Sequence, residues 1–145
     1  MKNILVVSLF LAASTASLLH AESLEERKYW AGEMDYMNRS IDDAVEKCGV
    51  KLSFEFVDKP TLRAETAKTD HTPYGVCAGV VDEVDSICRE GDDEKQSVAA
   101  KIKGFRCGYA AKRTLTLKNG IVTYMGNNVQ SNWSDWARPI LLKAL

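Results

Sequence analysis

The chain has 145 residues, 46% hydrophobic and 27% charged, with 19 basic and 20 acidic side chains and four cysteines. That length holds one ordinary core rather than two, and a net charge of −1 gives no electrostatic basis for binding nucleic acid or an anionic membrane. Nine glycines and three prolines exclude a fibrous or low-complexity chain.

The first twenty-one residues read as a secretory signal peptide. Lys2 supplies the positive end, Ile4 to Ala13 form a short apolar run, and small residues follow. The apolar run falls well short of the ~20 residues of a spanning helix. Cleavage is expected after Ala21, with Ala16 and Ser17 as alternative sites. Residues 22–145 are then one exported domain, periplasmic or secreted.

Ser23 opens the first predicted helix, and Glu26 three places on completes a capping box. Trp30, Met34, Met37, Ile41, Ala44, Val45 and Cys48 form one apolar stripe, and Gly49 is a natural stop. Val50 to Val57 alternate, with Leu52, Phe54 and Phe56 on one face and Lys51, Ser53 and Glu55 on the other, as in a half-buried strand. Residues 58–72 are polar and contain Pro60, and read as a surface loop holding at most a short helical turn.

Thr72 and Pro73 are a cap and first-turn pair for a second helix. Its apolar side carries Val76, Cys77, Val80, Val81, Val84, Ile87 and Cys88, and Gly91 closes it. Asp92 or Asp93 is expected to cap a third helix reaching Lys103. From Phe105 to Leu117 the period becomes two, with Arg113 the exception, and the run reads as one long strand. Asn119-Gly120 is a strong hairpin turn. A two-residue turn there sets Leu117 opposite Val122 and Leu115 opposite Tyr124. A last short helix contains Trp136, Ile140, Leu141 and Leu145, with Pro139 expected in its first turn or at a kink. The expected fold is α+β in the order α-β-α-α-β-β-α, a small antiparallel sheet of about three strands covered by helices and stapled by disulfides.

An even cysteine count in an oxidising compartment reads as disulfides among Cys48, Cys77, Cys88 and Cys107. Their spacing suits neither a zinc site nor a redox dithiol, and no metal or other cofactor is expected. Cys77 and Cys88 lie about 16 Å apart along a continuous helix, too far to bridge. Two pairings survive: 48–77 with 88–107, or 48–88 with 77–107.

No catalytic residue is singled out. His71 is the only histidine after residue 21, and no nucleophile elbow accompanies it. Asp82, Glu83, Asp85, Asp92, Asp93 and Glu94 lack the ligand spacing of a calcium loop. The basic residues from Lys101 to Arg113 read as a solvated strand edge. What stands out is aromatic. Tyr29 and Tyr36 lie about 100° round the first helix from the Trp30 and Met37 stripe, and Trp133, Trp136 and Arg138 cluster near the end of the chain. Aromatic residues and arginine are those that interfaces favour.

The helical pair CAGVVDEVDSIC…GDDEKQSVAAKIKGF resembles the helix-turn-helix of small periplasmic immunity proteins that neutralise secreted cell-wall amidases. Those proteins are largely helical, and the sheet expected here departs from that pattern, so no residue role is carried over. The functional expectation is an exported, non-catalytic domain that binds another protein of the envelope or extracellular space, as an inhibitor or immunity protein does. The alternative is a small cell-envelope hydrolase, which would have to work without a nucleophile motif and with one histidine.

Overall fold

The computed structural model describes residues 22–127 and 132–145; the leader expected over residues 1–21 lies outside the described residues. The elements run α1 (Leu24–Cys48), β1 (Ser53–Phe56), α2 (Lys59–Ala67), α3 (Pro73–Cys88), α4 (Asp92–Lys101), β2 (Gly104–Tyr109), β3 (Thr114–Lys118), β4 (Ile121–Gly126) and α5 (Trp133–Ala144). The class is α+β.

Local sequence accounts for most of these boundaries. The Ser23 hydroxyl accepts from the Glu26 amide at 3.1 Å, and Gly49 leaves α1 in the left-handed region at φ 68°, a conformation that costs glycine little. Thr72 caps α3 through the Gly75 amide at 3.1 Å, with Pro73 at the first helical position. The Asn119-Gly120 turn joins β3 to β4 in the expected register, Leu117 opposite Val122 and Leu115 opposite Tyr124.

Several expectations are corrected. The sheet has four strands in the order β1-β2-β4-β3, and it is mixed: β1, β2 and β4 are parallel and only β3 with β4 is antiparallel. Alternation of apolar side chains sets which face of a strand is buried but not its direction. The parallel step from β1 to β2 is made by a crossover of three helices rather than two, because residues 59–67 are a full helix and not a loop. The single long strand is broken at residues 110–113, giving β2 and β3. Gly91, not Asp92 or Asp93, stands at the cap of α4. Pro139 lies inside α5, well past its first turn.

The sheet buries one face. Phe56, Phe105, Cys107, Leu115, Val122 and Tyr124 are buried, while Glu55 and Arg106 pair across neighbouring strands at 2.9 Å on the exposed face. Helix α3 is the spine of the core, with Val80, Val81, Val84 and Ile87 fully buried. Two disulfides anchor it, Cys48–Cys88 to α1 and Cys77–Cys107 to the interior strand β2. This is one of the two pairings left open by the sequence.

Candidate functional site

The first helix carries the surface of interest. Tyr29 and Tyr36 are seven residues apart, hence about 10.5 Å along one side of α1, and their surroundings differ. Tyr29 is half-buried, edge-on to Trp30 with centroids 5.3 Å apart, and the Arg63 guanidinium lies 4.0 Å above its ring. Burial pushes the Tyr29 phenol above its ordinary pKa, Glu33 adds to the rise and Arg63 opposes it. Tyr36 is 52% exposed. Its ring lies 5.6 Å from that of Tyr74 at the start of α3, with the Arg39 guanidinium 5.4 Å from its centroid.

Between α1 and α2 runs an open groove of about 710 Å³. Helix α2 presents Pro60, Ala64 and Ala67 to it, and α1 presents Trp30 and Glu26. Glu26 is fully engaged: one carboxylate oxygen accepts from the Trp30 indole at 2.8 Å, and the other pairs with Arg63. The Lys59 ammonium stands 5.3 Å from the Trp30 ring centroid.

Of the C-terminal candidates, Trp133 and Trp136 meet with centroids 6.0 Å apart, whereas Arg138 turns to carboxylates. Trp133 and Trp136 pack edge-on to Tyr124 at 4.8 and 6.1 Å. Trp133 lies directly on the backbone of α3 at Gly79, where an added Cβ would come within 1.9 Å of the indole nitrogen. Arg113 stacks on Trp136 at 4.2 Å and donates to Asn132 at 2.9 Å. Arg138 donates to buried Glu83 at 2.7 Å and also pairs with Glu90, while the Ser134 hydroxyl reaches Glu83 at 3.3 Å.

Lys59, Arg63, Ala64 and Ala67 were not among the residues the sequence pointed to, because their segment reads as a loop. The available signals were the absence of glycine from residue 58 to residue 72 and the four-residue spacing of Leu62 and Thr66, both of which are buried.

His71 is half-buried, and its backbone amide donates to the Thr66 carbonyl at 3.0 Å. Among the described residues no group of three or more His, Cys, Asp or Glu side chains is placed to hold a metal ion. No helix there is long and apolar enough to cross a membrane. Comparison with protein-family models, curated proteins and solved structures finds no match.

Proposed function

We propose that this is an exported, non-catalytic domain that binds another protein, in the manner of an inhibitor or immunity protein, through the α1 face bearing Tyr36. The observation that carries the reading is the exposure of Tyr36, its ring tilted against that of Tyr74 and flanked by Arg39. A ring left in water forgoes burial worth on the order of 1.5–3 kcal/mol, and tyrosine beside arginine is a common composition for an interface centre. The leader-like residues 1–21 and the two disulfides support an oxidising destination, periplasmic or extracellular.

Among the five candidate residues, Tyr36 leads the surface. Tyr29 adds its ring edge beside the groove, whereas Trp133, Trp136 and Arg138 have contacts within the fold that account for them. The test is affinity capture from the envelope fraction, with the captured protein then titrated against the purified domain. The expected result is one partner bound saturably by the oxidised, folded domain. Hydrolysis of an envelope polymer that is lost in His71→Ala without loss of fold would overturn the reading in favour of the enzyme.

A further inference from the structure

We propose that the groove between α1 and α2 receives the C-terminal segment of a polypeptide, its apolar side chains along Pro60, Ala64 and Ala67 and its terminal carboxylate on Lys59. This rests on the protein-binding reading and names the chemistry of the partner segment.

Two features of the groove select that chemistry. Ala64 and Ala67 lie three apart on α2, so the wall there consists of methyl groups beside the Pro60 ring, a floor for an apolar side chain. The charged lining is not evenly available. Glu26 and Arg63 are committed to each other, to the Trp30 indole and to the Tyr29 ring. Lys59 has no carboxylate within 4.0 Å among the described residues; its ammonium stands over the π face of Trp30. Glu22 also lines the groove, is exposed, and does not pair with Lys59. Lys59 is moreover the first residue of α2, and the Asp58 side chain makes no capping bond there. An anion beside a small apolar surface is what this arrangement complements.

The protein-binding reading on which this rests selects a peptide terminus over a free fatty acid of the same chemistry. The groove is walled by two helices and open to solvent, so an extended segment can lie along it. Its volume falls within the range of ligand sites, roughly 300–1,000 Å³. From Tyr29, where Arg63 stacks, to Tyr36 is about 10.5 Å along α1, which about three residues of extended chain span. A polypeptide that continues from the groove along α1 runs toward the exposed Tyr36 ring, which leans on half-buried Tyr74.

The experiment is fluorescence anisotropy of the oxidised domain with an N-terminally labelled alanine hexapeptide ending in leucine, in free-carboxylate and amidated forms, with decanoate as competitor. The free acid is expected to bind saturably, and the amide at least tenfold more weakly. Lys59→Gln should weaken the acid form to the same degree. Ala64→Leu, which fills the groove from an exposed helix position, should abolish binding with an unchanged melting temperature. Equal affinity for acid and amide, full binding by Lys59→Gln, displacement of the peptide by equimolar decanoate, or no binding of the acid form would each overturn the proposal. Capture of an envelope protein that depends on Tyr36 but ignores Lys59 would overturn it while leaving the protein-binding reading intact.

Discussion

The carboxylate of Glu33, on α1, accepts a 2.7 Å hydrogen bond from the backbone N–H of Tyr74, 41 residues further along the chain. Tyr74 stands in the first turn of α3, so a side chain of one helix satisfies an amide that the start of the other leaves unpaired. At the far end the Cys48–Cys88 disulfide joins the last residues of the same two helices. The pair therefore runs in parallel, held by a cap at one end and a covalent bridge at the other. The exposed Tyr36–Tyr74 contact lies beside the cap, so the proposed surface is built on a fixed junction. Glu33 is 7% exposed. Glu33→Ala should cost about 1–3 kcal/mol in denaturant unfolding, the range for a buried group that loses a charged partner. Glu33→Gln, which keeps an acceptor, should lose less.

The pair formed by Arg138 and Glu83 is predicted to be structural. Glu83 is 4% exposed, and removing one member of a buried pair leaves the other charge unmatched, at a cost of about 3–5 kcal/mol. Arg138→Ala should therefore lower stability by an amount in that range, measured by urea unfolding. A variant with unchanged stability would return Arg138 to the list of partner-binding residues.

Tyr124 offers a test with a pH sign. Its ring is fully buried among Trp133 and Trp136, and its hydroxyl has no hydrogen-bond partner among the described residues. Burial holds the phenol above its ordinary value of 10.0, with Arg113 opposing. A folded-state pKa raised above the unfolded one means a contribution that is intact below about pH 10 and lost as pH rises further. Tyr124→Phe should match or exceed the wild-type stability at neutral pH and lose less of it on titration above pH 10, followed by circular dichroism. A steeper alkaline loss in Tyr124→Phe would contradict the assignment.

Peptide mapping of the oxidised protein should recover Cys48 with Cys88 and Cys77 with Cys107, and no free thiol. Replacing Cys77 and Cys107 together by serine should cost about 2–4 kcal/mol, since that bridge ties the spine helix to the interior strand β2. Recovery of a Cys48–Cys77 peptide would contradict the parallel arrangement of α1 and α3.

That disulfide choice shows where the sequence stops. Helix length alone forbids Cys77–Cys88, because eleven residues of helix hold the sulfurs far apart. Choosing between the remaining pairings requires the relative direction of α1 and α3: parallel packing brings Cys48 to Cys88, antiparallel packing to Cys77. No local signal carries that direction. The caps at Ser23 and Thr72 and the Asn119-Gly120 register were legible because each is written in a few adjacent residues. The break at 110–113 was not, because Ala110, Ala111, Lys112 and Arg113 contain no glycine or proline to mark it. The same holds at the site. Tyr36 could be picked out from its position on the helix face, but the groove depends on α2, whose short, polar sequence forms a helix mainly by docking Leu62 and Thr66 against the core.

The most direct test of the account pairs two measurements on Tyr36→Ala: its melting temperature, and its affinity for the protein captured by the wild-type domain. Tyr36 is exposed and lies off the core stripe, so the melting temperature should stay within about 2 °C of wild type. Affinity should fall by at least about thirtyfold, or ~2 kcal/mol, the size of an interface hot spot. A folded Tyr36→Ala domain that binds that protein as tightly as wild type would contradict the central claim.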